Sequence, residues 1–351
     1  MKTGKEECGV KKWIVVEILI LALLVAVACG VCIHLTQGQP QLQIQATTEP
    51  TTEATEPTEP LVRTWADLPE GYVLTSEQYF VYDVQKDQFT MISGDPGDKV
   101  YPASITKLFT AYVAMQYLDA ETTVTVGDEL DMIDWDSTVA QLQKGDSLSV
   151  EMLVGGMLLP SGNDAAHVLA AAAGRAISNQ PNLSASAAVA VFVEQMNQQA
   201  KALGMTGSRF ANPDGIHHDA HYLSLEDMAK LGKLSLENPA VMGYAATGEE
   251  TVQLGDREVV WKNTNALIHD REVTFRNEQE DGTLSEELQR NFYCEYAVGL
   301  KTGRTTPAGS CLLSAFDVRG RQLIIGVFGC PDGEYRFADT LFLLNTELGL
   351  Q

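Results

Sequence analysis

Basic residues are scarce in this chain of 351 residues, which has 24 lysines and arginines against 47 aspartates and glutamates. The net charge is −23, and the sequence pI is about 4.5. A nucleic-acid-binding protein needs a basic patch to neutralise phosphates, and no sizeable one occurs along the sequence. Nucleic acid is therefore not among the expected partners.

Lysine and arginine are absent between Lys12 and Arg63, and this gap defines the N-terminal organisation. Residues 13–35 are almost wholly apolar and long enough to span a bilayer, with Glu17 near their start. Because the basic flank lies only on the N-terminal side, residues 1–12 are expected in the cytoplasm and the rest of the chain outside. The sequence therefore predicts a single-pass signal-anchor in the cell membrane.

Two alternatives to this anchor stay open. One is a cleaved signal peptide, although the apolar run is long for a signal core and lacks a convincing cleavage site. The other is lipidation at Cys29, which follows Ala26-Val27-Ala28.

Apolar residues are few in residues 36–64, which are rich in glutamine, threonine, glutamate and proline. Such a composition cannot bury a core and predicts a disordered stalk. A folded domain is then expected at residues 65–351.

Cysteine is also rare outside the apolar segment, since only Cys294, Cys311 and Cys330 fall in the expected external domain. An odd number of three excludes a disulfide scaffold. A bond between Cys311 and Cys330, on neighbouring predicted strands, is left open.

Strand patterns occur at both ends of residues 65–351, with helical patterns between them. Two short strands near residues 79–83 and 89–93, and three more towards the C-terminus, are joined by short turns, which implies an antiparallel sheet. We therefore predict an α/β (α+β) fold with an antiparallel sheet, flanking helices and a mostly helical subdomain. Residues 270–292 are charged and predict a surface insertion.

One predicted helix carries an unusual polar pair on its apolar face. The apolar residues recur at three- and four-residue steps: Leu108, Ala111, Met115 and Leu118. Ser104 and Lys107 lie on the same stripe, one turn apart. A buried lysine tends to lose its proton, and a serine beside it is then an activated nucleophile. Taken alone, the pair also fits a helix start whose lysine extends to water.

Two further motifs change this interpretation. Ser161-Gly162-Asn163 is a turn between two predicted helices, and Lys301-Thr302-Gly303 lies on a predicted strand beside a hairpin. Each motif is common by chance, but the three together, in this order and context, indicate one active site.

With these motifs the chain resembles the serine D-alanyl-D-alanine carboxypeptidases, the low-molecular-weight penicillin-binding proteins of the peptidase S11 type. The resemblance covers roughly residues 70–350. The stretches that carry it are 100–107, 158–166, 210–215, 263–265 and 299–303. It implies a penicillin-binding/β-lactamase-like transpeptidase fold, with residues 65–351 as the D,D-peptidase catalytic domain. It also implies a peptidoglycan stem peptide ending in D-Ala-D-Ala as substrate, β-lactam antibiotics as acylating ligands, and no cofactor.

The resemblance implies roles for the residues that do the chemistry. Ser104 attacks the carbonyl between two D-alanines to form an acyl-enzyme, and Lys107 takes its proton. Burial and the charge of Lys301 are expected to lower the pKa of Lys107. Ser161 is expected to relay the proton to the leaving amine. Asn163 is expected to orient Lys107 and the substrate carbonyl.

The same resemblance implies how the substrate is held. Lys301 and Thr302 bind the C-terminal carboxylate. Gly303, lacking a side chain, lets an extended peptide lie against the strand. The backbone N–H groups of Ser104 and Arg304 form the oxyanion hole.

The histidines are not expected to bind metal. His217, His218 and His221 lie in a loop and lack the His-Glu-x-x-His spacing of a helical zinc site. His167 is interpreted as a helix-face residue and not as a second base.

Three other functions remain open on these motifs. A serine β-lactamase needs fast deacylation, but no Glu-x-x-Leu-Asn stretch occurs between Asn163 and Lys301. A D,D-endopeptidase would cut the same type of bond. A non-catalytic cell-wall binding or sensor protein is disfavoured because all the reacting side chains are present.

Overall fold

The structure is a computed structural model that describes residues 68, 71–270, 272–275, 288–331 and 333–350. The predicted cytoplasmic tail, transmembrane segment and stalk lie outside the described residues, as does much of the predicted insertion at 270–292. Within the described residues, no helix is long and apolar enough to cross a bilayer.

Thirteen strands and seven α-helices make up the part of the chain that the structure describes. The strands are β1 (Gln78–Asp83), β2 (Gln88–Ile92), β3 (Lys99–Val100), β4 (Thr123–Thr125), β5 (Ser147–Ser149), β6 (Leu223–Ser224), β7 (Glu249–Leu254), β8 (Arg257–Lys262), β9 (Glu272–Phe275), β10 (Leu288–Asn291), β11 (Ala297–Thr305), β12 (Gly309–Val318) and β13 (Arg321–Cys330). The helices are α1 (Thr106–Ala114), α2 (Val150–Leu158), α3 (Asn163–Ser178), α4 (Ala185–Ala202), α5 (Leu225–Leu236), α6 (Pro239–Ala245) and α7 (Tyr335–Leu348).

The main sheet joins the two ends of the described domain. Its five strands lie in the order β11-β12-β13-β1-β2, and all neighbouring pairs are antiparallel. Most of the helices lie in the chain between β2 and β11. The predicted antiparallel sheet, the helical subdomain and the closing helix α7 are confirmed. Helix α6 and the β7–β8 hairpin were not predicted.

The sheet is buried on both faces, which explains its long apolar strands. Along β13, Ile324 and Phe328 face a core shared with the helical subdomain, whereas Leu323, Ile325 and Val327 face α7. This alternation follows the period of two along a strand. Helix α5 covers the first face and α7 the second.

The same alternation separates two of the cysteines. Cys311 belongs to the core on the helical-subdomain side, and Cys330 to the core under α7. All three described cysteines are free thiols and are buried. The possible bond between Cys311 and Cys330 is therefore not formed, because neighbouring strands place them on opposite faces of the sheet.

Helix α7 also fixes the start of the domain. The buried carboxylate of Asp339 accepts hydrogen bonds from the Tyr72 hydroxyl at 2.6 Å and from the Ser76 backbone at 2.7 Å. It also accepts from the backbone and side chain of Thr75 at 3.1 Å. These bonds hold residues 72–76 beside β1, so the chain enters the sheet from a fixed point.

Helices α3 and α4 approach each other closely at a glycine. A Cβ atom added to Gly174 in α3 would lie 1.9 Å from the Ala188 carbonyl oxygen in α4. Real atoms do not come this close, so any side chain at 174 must push the two helices apart. Gly243 in α6 is the opposite case, since a Cβ atom there would meet nothing within 4 Å.

We expect the two glycines to respond in opposite directions to alanine. Gly174→Ala should lower the free energy of unfolding by about 1–3 kcal/mol or more, because it overpacks the α3–α4 contact. Gly243→Ala should raise it by up to about 1 kcal/mol, because alanine favours the helix. Urea unfolding of both variants measures this difference. A neutral Gly174→Ala variant would contradict the close packing of α3 on α4.

Candidate active site

Ser104 lies on a short turn of backbone held between two glycines. The turn is a 3₁₀ segment, Ala103–Ile105, just before α1, and Ala103 has a φ of +47°. A Cβ atom on Gly215 would lie 1.9 Å from the Ala103 carbonyl oxygen, and one on Gly303 would lie 2.7 Å from that of Pro102. The backbone that carries Ser104 is thus pressed between a loop and β11. Gly303 is required for this contact, and its predicted role in leaving room for an extended peptide stays a prediction.

Lys107 is the centre of the site. It lies in the first turn of α1 and is fully buried. Its Nζ donates to Ser104 Oγ at 2.9 Å, to Asn163 Oδ1 at 2.7 Å and to the main-chain carbonyl of Asp214 at 2.8 Å. The structure therefore brings together Ser104, Lys107 and Asn163, as the sequence predicted, and adds Asp214.

The chemistry of these three partners suits a neutral amine. A carbonyl oxygen can only accept, so Asn163 and Asp214 take two N–H groups from Lys107. A neutral lysine then has one lone pair left, and Ser104 is the remaining partner, whose hydroxyl can donate. The arrangement directs the lone pair of a deprotonated Lys107 at the serine proton.

Burial supplies the reason for Lys107 to lose its proton. It lowers the pKa of Lys107 from its usual 10.5 to about 8, while the negative charges of Asp214 and Asp164 limit the fall. Part of this shift was predicted to come from the charge of Lys301. The repulsion between the two lysines is mutual, and burial followed by the charge of Lys107 lowers the pKa of Lys301 well below its usual value.

Asn163 is fixed by groups on both sides of it. It is the first residue of α3, and its Nδ2 donates to Ser137 Oγ at 3.1 Å, which leaves Oδ1 facing Lys107. Ser161, two residues before Asn163, has a φ of +65°. The carbonyl of Ser161 accepts a hydrogen bond from Thr138 Oγ1 at 2.8 Å. Ser161 lies in the same buried turn, but its hydroxyl is not among the three groups that Lys107 contacts.

Lys301 lies on β11 and is also buried. Its Nζ donates to the Thr302 carbonyl at 3.1 Å and to Thr264 Oγ1 at 3.2 Å. The hydroxyls of Thr264 and Thr302 are 2.5 Å apart. Thr264 was not predicted as a site residue, although it lies in the stretch 263–265 that carries part of the family resemblance. On the other side of β11, Arg336 Nη1 of α7 donates to the Gly303 carbonyl at 3.2 Å.

Asp214 was also missed, and it links the site to His167. Its carboxylate lies 3.0 Å from His167 Nε2 and accepts from the Ile216 backbone at 3.1 Å. Burial opposes the charge, but the hydrogen bond with His167 and the charge of Lys107 lower the pKa of Asp214. His167 lies in α3, as predicted, but is buried against this loop. The signal for the loop was the stretch Phe210-Ala-Asn-Pro-Asp-Gly215.

Another buried histidine, His221, contacts the same loop. His221 Nε2 lies 2.9 Å from Thr106 Oγ1, and its Nδ1 accepts from the Ala211 backbone at 3.3 Å. Burial lowers the pKa of His221 to about 4, which keeps it neutral. Among the described residues, no group of three or more histidine, cysteine or acidic side chains could hold a metal ion.

These elements enclose an open cleft of about 390 Å³ beside Ser104. Arg304, after Gly303 on β11, forms part of one wall, and Asp134 with residues 136–138 forms part of another. Ser104 therefore faces a cleft that is lined by both acidic and basic side chains. In geometry this is a serine–lysine site at the edge of an antiparallel sheet.

Comparison with known proteins assigns the family. The family model described as peptidase S11, D-alanyl-D-alanine carboxypeptidase, matches residues 68–278, which is more than half of the chain. The chain therefore belongs to the peptidase S11 family.

Two curated relatives illustrate the similarity. The D-alanyl-D-alanine carboxypeptidase DacF of Bacillus subtilis (strain 168) is 26% identical over 253 residues, which cover 71% of this chain and 56% of that protein. The D-alanyl-D-alanine carboxypeptidase of Streptomyces sp. (strain K15) is 29% identical over 252 residues, covering 69% and 77%. This chain thus spans little more than half the length of the Bacillus relative.

A solved structure supports the fold. Penicillin-binding protein D2 from Listeria monocytogenes, in its cefotaxime-bound form, aligns with a TM-score of 0.60 and 25% identity. The alignment covers 81% of this chain and 100% of that one. The predicted penicillin-binding fold is therefore confirmed.

We expect two lysines of this site to titrate far below the others. NMR titration of the protein carrying ¹³C-labelled lysine should show Lys107 near pH 8 and Lys301 well below its usual value, because burial disfavours their charged forms. Lys107→Met and Lys301→Met assign the two signals. Exposed Lys144, whose pKa is raised by the hydrogen bonds that it donates to Asp131 and Asp128, is the internal control. A Lys107 signal that titrates near 10.5 would contradict a buried neutral amine.

Proposed function

We propose that this chain is a serine-type D-Ala-D-Ala carboxypeptidase that removes the terminal D-alanine from peptidoglycan stem peptides. The observation that carries the proposal is the buried Lys107 amine, bonded at once to Ser104, Asn163 and the Asp214 carbonyl. Membership of the peptidase S11 family and the names of the relatives support the same activity.

Acylation begins with Ser104. Its Oγ attacks the carbonyl between the two D-alanines as its proton passes to the lone pair of neutral Lys107. The backbone N–H groups of Ser104 and Arg304 stabilise the oxyanion that forms. The proton then reaches the leaving amine through Ser161, and free D-alanine departs. Water hydrolyses the resulting ester and restores the serine.

The leaving D-alanine carries a free carboxylate, and the cluster around Lys301 suits that anion. Thr264 and Thr302 surround the Lys301 amine with hydroxyl groups that can turn to donate to it. An anion here favours the charged form of Lys301, so binding should reverse the fall in its pKa. On this proposal the substrate must end in a carboxylate.

β-Lactam antibiotics are the second ligand class that we propose. They present a strained amide and a carboxylate to the same serine and cationic cluster, and the Listeria relative is known in a cefotaxime-bound form. Acylation of Ser104 by penicillin then reports on the same steps as the peptide reaction.

The proposed location is outside the cytoplasmic membrane. Residues 13–35 would form a single-pass anchor after a short cytoplasmic tail at 1–12, and residues 36–64 would be a stalk that spaces the catalytic domain from the bilayer. The pattern of charged and apolar residues along the sequence supports this arrangement.

The activity is tested by product analysis. The protein should release D-alanine from diacetyl-Lys-D-Ala-D-Ala and convert pentapeptide muropeptides to tetrapeptides, as measured by mass spectrometry, while Ser104→Ala should do neither. Loss of cross-linked dimers with no loss of pentapeptides would identify an endopeptidase instead. Penicillin binding without D-alanine release would favour a non-catalytic sensor.

The role of Lys107 is tested by substitution and by pH. Lys107→Arg should abolish penicillin acylation, because arginine stays protonated. Lys86→Arg, at a surface lysine beside Asp83, should leave the rate unchanged. In the natural protein the neutral fraction of Lys107 rises about tenfold per pH unit below 8 and levels off above it, so the acylation rate should follow that curve. Normal acylation of the arginine variant would disprove this role.

A further inference from the structure

His167 is a buried histidine that lies one turn along α3 from Asn163. Residues four apart lie on the same face of a helix, so α3 directs both side chains towards the site. Asn163 Oδ1 accepts from Lys107 Nζ at 2.7 Å, and His167 Nε2 lies 3.0 Å from a carboxylate oxygen of Asp214. Because an ionised carboxylate can only accept, Nε2 carries the hydrogen of this bond. Helix α3 therefore contacts the amine through one residue and the loop beside the amine through the other.

The bond to Asp214 accounts for a histidine at this buried position. Within the described part of the chain, the other ring nitrogen, Nδ1, is buried and has no hydrogen-bond partner. A buried polar atom without a partner is unfavourable, and an apolar side chain at residue 167 would avoid that cost. The histidine is therefore placed for what its Nε2 does to the carboxylate.

Asp214 has two kinds of oxygen, and they face different partners. Its main-chain carbonyl accepts from Lys107 Nζ at 2.8 Å. Its carboxylate is turned to His167 and to the Ile216 backbone, at 3.0 and 3.1 Å. Burial opposes the charge of this carboxylate, but the hydrogen bond with His167 and the charge of Lys107 lower its pKa. The carboxylate is thus within electrostatic reach of the amine, which nevertheless bonds to the main-chain oxygen.

The backbone around residue 214 is held by contacts that do not involve the histidine. Thr110 of α1 donates to the carbonyl of Pro213 at 2.6 Å. The Gly215 backbone donates to the side chain of Asn212 at 2.8 Å. Removing the imidazole should therefore release the carboxylate of Asp214 while its main-chain carbonyl stays in place.

We propose that His167 is a positioning residue that keeps Lys107 neutral by holding the Asp214 carboxylate away from the amine. Without that bond, the carboxylate would be a buried charge beside a lysine, and pairing with the lysine would relieve the cost. An opposite charge within about 4–6 Å favours the charged form of a lysine, and a charged Lys107 cannot accept the serine proton. Only the effect on acylation rests on the proposed function.

Lys107 has other titratable neighbours, so the test changes one contact at a time. They are Asp164 in α3, His221 in the loop and Lys301 in β11. Asp164 is held by the backbone of residues 140, 142 and 165, and burial lowers the pKa of His221 to about 4. These groups are the same in every variant below, so a difference between variants comes from residues 167 and 214.

The first test measures the protonation of Lys107 directly. NMR titration of the full-length protein in detergent, with ¹³C-labelled lysine, should give a Lys107 midpoint near pH 8 in the natural protein. In His167→Leu, or in His167→Met as a second apolar replacement, the midpoint should rise to about pH 9 or higher. His167→Gln should keep the natural midpoint, because its amide can donate from about the position of Nε2.

A surface histidine of the same loop supplies the matched control. His218→Leu removes an exposed histidine that accepts from the Ala220 backbone, and it should leave the Lys107 midpoint at the natural value. A midpoint that stays the same or falls in His167→Leu and His167→Met would overturn the proposal, because loss of packing alone brings no negative charge to the amine.

Variants of Asp214 show whether its carboxylate is the cause. Asp214→Asn removes the charge but keeps the main-chain carbonyl, so the Lys107 midpoint should lie below the natural one. In this background His167→Leu should cause no further rise, because no carboxylate is left to turn. A rise in the double variant as large as in His167→Leu alone would mean that the histidine does not act through Asp214.

Penicillin acylation should follow the same curve. In His167→Leu the rate should be about tenfold lower than in the natural protein at pH 7, and should approach the natural rate above about pH 10. A rate lowered by the same factor at every pH would indicate a structural defect and would contradict the proposal. If penicillin did not acylate the natural protein, the proposed function would be wrong, and the NMR titration would still decide the role of His167.

Discussion

The site depends on burying a lysine without giving it a salt bridge. A buried amine next to a carboxylate would stay charged, and a charged Lys107 cannot accept the serine proton. Two carboxylates lie near it, but both are occupied: Asp214 by His167 and Ile216, and Asp164 by the backbone of residues 140, 142 and 165. Lys107 therefore contacts neutral oxygens only, and burial sets its pKa.

The fold supplies these neutral oxygens from segments far apart in the chain. Ser104 and Lys107 begin α1, Asn163 begins α3, and the Asp214 carbonyl comes from a loop after α4. The left-handed φ of Ala103 is an unfavourable conformation for a residue with a side chain. It lies where Gly215 and Gly303, which have no side chains, pack directly against that backbone. The strain and the close packing together place the serine hydroxyl beside the amine.

Sequence patterns predicted the parts of this site that are carried by side chains on regular elements. The five-stranded sheet, α7 and the three motifs follow from local periodicity and turn chemistry. The Asp214 carbonyl could not be predicted, since every residue has one and only tertiary packing selects it. The β7–β8 hairpin was missed although its alternation and its Gly255-Asp256 turn are a readable signal. The separation of Cys311 from Cys330 depends on strand register, which spacing alone does not fix.

The two buried lysines make substrate binding and base activation interdependent. In the free protein Lys301 and Lys107 lie close enough for the charge of Lys107 to lower the pKa of Lys301 further, beyond the effect of burial. A carboxylate bound at Lys301 favours the charged form of that residue. Coupled titrations are reciprocal, so a charged Lys301 disfavours the charged form of Lys107. On the proposed function, a charged Lys301 and the carboxylate that it binds form a pair without net charge, so the substrate is held beside the base without adding net charge there.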